Sequence, residues 1–232
     1  MKTARLFVLI LLILAAWANA QESLPSQQEF VPESGKGRVL IVLSGYSGPD
    51  RYRYIAKDLS AQGYYTLLFD GNAFPDKDAG AQLKGVIARA QQSPYAMSGK
   101  VAVIGFSMGG GYALMNATTM SDLVSAVVLF YPVTADIQNP AAFGSKIMVP
   151  TLLLAGVRDA QPWFTAAHCC LIGTIRDIAD GAHKGGAPAM VELVEYPDAG
   201  HGWNLKTSNY READTADSFR RALDYLRIHF AD

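Results

Sequence analysis

Three side chains in this sequence have the types and settings that nucleophilic chemistry requires. Ser107 stands at the centre of Gly105-Phe106-Ser107-Met108-Gly109, with Gly110 and Gly111 following. A serine hydroxyl is a weak nucleophile at neutral pH, so it needs a base, and the base needs a partner that orients it. His201 lies in Pro197-Asp198-Ala199-Gly200-His201-Gly202-Trp203, a glycine-rich stretch late in the chain. Asp159 closes Gly156-Val157-Arg158-Asp159. Ser, then Asp, then His is the chain order in which a serine on a strand-to-helix turn meets its partners. The expected chemistry is acyl transfer. Ser107 Oγ would attack, His201 would take its proton, and Asp159 would accept the Nδ1–H of His201 and stabilise the imidazolium. The tetrahedral oxyanion needs two amide donors. The Met108 N–H directly follows the nucleophile, and the Tyr46 N–H lies in the loop after the first strand.

Other residues compete for these roles. Asp136 is the second choice of acid, and Asp198 is too near His201 in sequence to be favoured. Asp159 could instead cap a helix beginning at Pro162. His168 falls in a predicted helix beside the cysteines, His183 in a polar loop next to Lys184, and His229 near the end of the terminal helix. Tyr46, Phe106, Met108 and Trp163 read as packing residues near the site. Trp203, two residues past His201, is the aromatic expected to line a substrate pocket.

The elements that must position these groups alternate between strand and helix. Lys100–Ile104 is an apolar strand that runs into the serine turn, and Tyr112–Ala117 is the small-residue helix that leaves it. A sharp turn of this kind crowds the backbone, so glycines flank the serine. The continuous apolar run within Arg38–Leu43 reads as a strand buried on both faces, and Tyr64–Phe69, Leu123–Tyr131, Pro150–Ala155 and Ala189–Tyr196 read as further strands. Helical spacing marks Arg51–Gln62, Ala81–Gln92, Trp163–Asp180 (interrupted near Gly173) and Thr215–Phe230. Thr134–Lys146 reads as a loop on the rim of the site. The alternation predicts one α/β domain with a mainly parallel sheet and helices on both faces. Ligands of such folds sit beyond the carboxyl ends of the strands, where all three candidate residues fall.

Length and composition narrow the partners. The chain has 232 residues, 50% of them hydrophobic, and a formal charge of −1. No basic field is present to attract nucleic acid. Residues 1–20 have the form of a cleaved signal peptide: Lys2 and Arg5, an apolar run from Leu6, and Ala18-Asn19-Ala20 before the cut. The apolar run is short for a span of about 20 residues. The expectation is export to the periplasm or medium, with no stable membrane insertion after cleavage. Residues 21–37 read as an N-terminal arm and 38–232 as the folded domain. Cys169 and Cys170 are adjacent and cannot staple distant segments; two reduced or partly buried thiols are favoured over a vicinal disulfide. With no further thiolate and no histidine at zinc spacing, a metal site is not expected. Neither is a cofactor.

With these residues in place, the chain resembles the α/β-hydrolase superfamily, and within it the dienelactone hydrolase-like family. The resemblance runs from about Arg38 to Phe230. It is carried by Gly-Phe-Ser-Met-Gly-Gly-Gly at 105–111, Leu-Ala-Gly-Val-Arg-Asp at 154–159 and Tyr-Pro-Asp-Ala-Gly-His-Gly-Trp at 196–203. It implies an α/β-hydrolase fold without a large cap domain, and a nucleophile–His–Asp site. Two departures limit it. Dienelactone hydrolases carry a cysteine nucleophile where Ser107 stands. They also carry a glutamate in the loop after the first strand, where Ser44-Gly45-Tyr46 has none. The expectation is an exported serine hydrolase of a small carboxylic ester or lactone. Amide or peptide hydrolysis by the same residues, a membrane-surface lipase and a non-catalytic binding protein on this fold are the alternatives.

Overall fold

The computed structural model describes residues 24–74, 79–159, 170–187 and 189–230. The proposed signal peptide, His168, Cys169 and the start of the expected Trp163–Asp180 helix lie outside them. The strands are β1 (Gln27–Phe30), β2 (Val39–Leu43), β3 (Tyr65–Phe69), β4 (Val101–Phe106), β5 (Val124–Phe130), β6 (Thr151–Gly156) and β7 (Val191–Tyr196). The helices are α1 (Arg53–Ala61), α2 (Ala79–Gln91), α3 (Ser107–Asn116), α4 (Pro140–Gly144), α5 (Ile172–Gly185) and α6 (Glu212–His229). They build a seven-stranded sheet in the order β1-β3-β2-β4-β5-β6-β7. All neighbours are parallel except β1, which runs antiparallel to β3.

Successive side chains of a strand point to opposite faces, so a strand covered on both sides must be apolar at every position. Strands β2, β3, β4 and β6 are buried at every residue. Val39, Ile41 and Leu43 of β2 join Leu67, Val103, Val127 and Leu153 on one face, under α2, α3 and α5. Leu40 and Val42 join Leu68, Ala102, Ile104, Val128 and Leu154 on the other, under α1 and α6. The α/β architecture with helices on both faces is as expected.

Several boundaries differ from the sequence reading. The stretch read as an N-terminal arm contains β1. Three of its four residues are polar and none is fully buried, and they are held by register with β3 (Gln27 opposite Phe69, Phe30 opposite Thr66) rather than by an apolar pattern of their own. The loop at Thr134–Lys146 contains α4, which Asn139 caps by accepting the Ala142 N–H at 3.1 Å. Helix α5 begins at Ile172, one residue before Gly173, and runs on to Gly185; the earlier part of the expected helix lies outside the described residues. His183 is helical rather than in a loop, with Nε2 2.7 Å from the Val191 carbonyl.

After β2 the chain visits β3 on one side and then returns past β2 to β4 on the other. The carboxyl ends of β2 and β4 therefore flank the point where the strand order reverses, the usual ligand position in such sheets. The loop Ser44–Tyr46 leaves β2 there, and the Ser107 turn leaves β4 beside it.

Candidate active site

Ser107 opens α3 directly from the last residue of β4, with φ of +51°. A side chain in this left-handed region costs about 1 kcal/mol or more, so tertiary contacts must hold it. Those contacts are visible. The Ser107 carbonyl accepts the Val133 N–H at 2.9 Å, and the Gly109 N–H donates to the Ser44 carbonyl at 3.2 Å. The glycines allow the close approach. A Cβ on Gly105 would stand 2.6 Å from Gly110 Cα, and one on Gly109 2.4 Å from the Ser44 carbonyl oxygen.

His201 comes from the loop after β7 and Asp159 from the turn after β6. His201 Nε2 is 2.8 Å from Ser107 Oγ, and its Nδ1 is 2.8 Å from Asp159 Oδ2. The row is shielded: Ser107 and Asp159 are buried and His201 is only partly exposed. Asn209 Nδ2 donates to the His201 carbonyl at 3.0 Å, and the Tyr131 ring packs edge-on to the imidazole at 4.7 Å. These contacts fix a glycine-flanked loop that would otherwise be mobile. With Nδ1 donating to Asp159, Nε2 is left as the acceptor facing the Ser107 hydroxyl. Asp136 is exposed, and the acid that reaches His201 is the first choice, Asp159. Asp198 instead pairs with Arg158 at 2.5 Å.

The two amides expected to serve an oxyanion lie on elements that meet at Ser107: a Cβ on Gly45, next to Tyr46, would stand 3.0 Å from Ser107 Cβ. Met108 is the second residue of α3, so its N–H has no carbonyl partner within the helix. Tyr46 lies in the loop after β2, with its carbonyl held by Asn72 Nδ2 at 3.2 Å. A cavity of about 740 Å³ opens over Ser107 and His201, with Tyr46, Tyr52, Tyr131 and Leu205 among its walls and no lysine or arginine among its described lining residues.

Trp203 does not line it. The indole is 0% exposed and packs among Phe130, Tyr131 and Tyr196, with centroids 4.9–6.4 Å apart. Gly202, at φ of +67°, turns the chain between His201 and Trp203, so the tryptophan drops into the core beneath the site. Tyr52 and Tyr131 take the aromatic places that the sequence reading gave to Trp203. Tyr52 was hidden because it falls in the helical run Arg51–Gln62, where spacing marks no site residue; in the structure it ends the short turn Pro49–Tyr52.

Cys170 also differs from expectation. Cys170 is buried and its sulfur is in a disulfide, not a free thiol. Its Sγ approaches the site: ligand-type atoms of Asp159, Cys170 and His201 lie within 4.8 Å of one another. Asp159 and His201 are already committed to the row with Ser107, and a disulfide sulfur is no thiolate, so this cluster is not built for a metal ion.

A mostly parallel sheet carrying a serine turn, a strand-end aspartate and a late histidine loop defines the α/β-hydrolase class of fold. The dienelactone hydrolase family model matches residues 49–230, and the chain belongs to that family. It is a hydrolase of the dienelactone hydrolase and esterase type. It is similar to a Salmonella typhimurium protein named "Putative carboxymethylenebutenolidase", 24% identical over 88% of this chain and 85% of that one. Among solved structures it resembles a "Putative Dienelactone Hydrolase" of Klebsiella pneumoniae, at TM-score 0.69 and 18% identity over 87% of this chain and 98% of the other. It also resembles a propionate-bound esterase of Thermogutta terrifontis, at TM-score 0.63 and 19% identity over 87% and 88%.

Proposed function

We propose that the protein is an exported serine hydrolase that cleaves an uncharged carboxylic ester or lactone through an acyl-enzyme on Ser107. The observation that carries this reading is the hydrogen-bonded row Ser107–His201–Asp159 at the floor of the cavity, with both links at 2.8 Å. His201 Nε2 takes the Ser107 proton as Oγ attacks the carbonyl carbon. The Met108 and Tyr46 amides receive the oxyanion. His201 then gives that proton to the leaving alkoxide, and the alcohol departs. A water enters, His201 takes its proton, and the acyl-enzyme breaks to the acid and free Ser107. Asp159 keeps the Nδ1–H in place and offsets the imidazolium charge throughout. The aromatic cavity walls favour an apolar acyl part, and the lack of lysine or arginine among the described lining residues disfavours a charged one. Export rests on residues 1–20 and is tested by sequencing the N-terminus of the mature protein; retention of Met1 would overturn it.

The catalytic reading is tested with a fluorophosphonate probe and p-nitrophenyl esters of rising chain length, beside matched anilides. The wild type is expected to label and to turn over short esters well above anilides. Ser107→Ala and His201→Ala are expected to lose both labelling and at least about 10⁴-fold in kcat. A wild type that neither labels nor hydrolyses any acyl substrate would falsify the proposal.

A further inference from the structure

The mechanism above leaves a cluster of buried polar groups unused. Tyr52 closes the turn before α1 and is 1% exposed, and its ring lies 4.9 Å from Phe106, the residue before Ser107. A Cβ built on Gly45 would stand 2.6 Å from Tyr52 Oη and 3.0 Å from Ser107 Cβ. The hydroxyl therefore sits directly against the loop that carries the Tyr46 amide, across a small gap from the nucleophile. Ser47 and Tyr131 stand beside it on the same cavity wall. Tyr131 Oη–H donates to Asn204 Oδ1 at 2.5 Å, and Tyr54 Oη–H donates to the Asn204 carbonyl at 2.7 Å. Asn204 belongs to the His201 loop, three residues on. Tyr52, against the loop after β2, and Tyr131, bonded to the loop after β7, thus pack side by side on Phe106.

We infer that Tyr52 is a positioning residue, whose hydroxyl sets the Gly45–Tyr46 amides over Ser107 and ties them, through Tyr131 and Asn204, to the loop that holds His201. The inference rests on the serine-hydrolase reading and adds to it a residue outside the triad, whose ring belongs to the cavity wall and whose hydroxyl faces the loop after β2. The reason is geometric. An oxyanion donor works only when it is aimed at the place the oxygen occupies in the transition state. The Tyr46 side chain is 72% exposed and cannot anchor its own backbone. Tyr52 lies on the inner side of that loop, so it can supply the anchor.

Tyr52→Phe keeps the ring on Phe106 and removes only the hydroxyl. With a p-nitrophenyl ester that the wild type hydrolyses, kcat is expected to fall about 10- to 100-fold, below the full loss of an oxyanion donor, while KM stays within about twofold. Affinity for a trifluoromethyl ketone, which adds to Ser107 as a tetrahedral oxyanion, should weaken by the same factor as kcat. Affinity for the product carboxylic acid should not move. Tyr131→Phe, which removes the hydroxyl bonded to Asn204, should show the same pattern to a smaller degree and guards against misfolding of the first variant. The inference is overturned if a folded Tyr52→Phe, or Tyr131→Phe where the first does not fold, keeps wild-type kcat. A rise in KM alone, or a fall in kcat with ketone affinity unchanged, overturns it equally. These failures leave an active, Ser107-dependent wild type intact, whereas an inactive wild type strikes the underlying reading.

Discussion

At the scale of single residues, the roles assigned to Asp159 and Trp203 make opposite kinds of prediction. Asp159 holds one imidazole nitrogen at 2.8 Å. Asp159→Asn preserves shape but presents an amide that can stabilise the wrong tautomer. The expected result is a loss of about 10³- to 10⁴-fold in kcat with a nearly unchanged melting temperature. Retained activity would move the acid elsewhere. Trp203 touches no reacting atom but fills core space under Tyr131. Trp203→Ala should cost about 3–5 kcal/mol in urea unfolding. Its effect on KM for a small ester should be minor when measured below the unfolding transition. The difference between these residues could not be read from spacing alone. Two positions past a histidine in a glycine-rich loop carry no period, and the turn at Gly202 decided which way the indole went.

At the scale of elements, the serine turn depends on the contact between α3 and the loop after β2. Gly109 is where the two backbones meet: its N–H reaches the Ser44 carbonyl, and an added Cβ would collide with that oxygen and with Leu43. Gly109→Ala should destabilise the protein by about 1–3 kcal/mol through overpacking. It should also depress kcat more than KM, because the displaced loop carries the Tyr46 amide. Equal kcat in the variant would show that the loop tolerates the shift. The elbow was legible because strand, glycine, serine and helix follow one another within a dozen residues. Strand β1 was not, because its pairing partner supplies the reason for its extended shape and all but one of its residues are polar. The same holds for Tyr52, whose importance comes from loops at positions 45 and 204 that only the fold brings to it.

At the scale of the whole molecule, the terminal helix carries a charge cluster that links fold stability to pH. Asp217 sits between Arg221 and Arg220 and accepts the Tyr196 hydroxyl, and these contacts lower its pKa from 3.8 to about 2. The unfolded chain takes up this proton first as pH falls, so the contribution is full above about pH 4 and is lost toward pH 2. The side chain is about one-third exposed, so the effect is modest and screened by salt. Asp217→Asn should lower the melting temperature slightly at pH 6. It should also flatten the decline in melting temperature between pH 4 and pH 2. An unchanged slope would show that other carboxylates govern acid unfolding. Tyr196 ends β7 and packs on Trp203, so this cluster also tethers α6 to the strand that delivers His201.

The amino-acid sequence by itself determined the alternation of buried strands and helices, the serine on its turn, and the order of Ser107, Asp159 and His201. Each of these is written in local pattern, because a strand covered on both faces must be apolar throughout and a tight turn must be glycine-rich. The tertiary structure alone decided that Asp159 rather than Asp136 faces His201 and that Cys170 is oxidised beside them. It alone also decided that Trp203 is core while Tyr52 and Tyr131 wall the cavity. Those outcomes depend on loops from β2, β5, β6 and β7 meeting at one end of the sheet. That meeting is set by strand order and packing, which no short window of sequence contains.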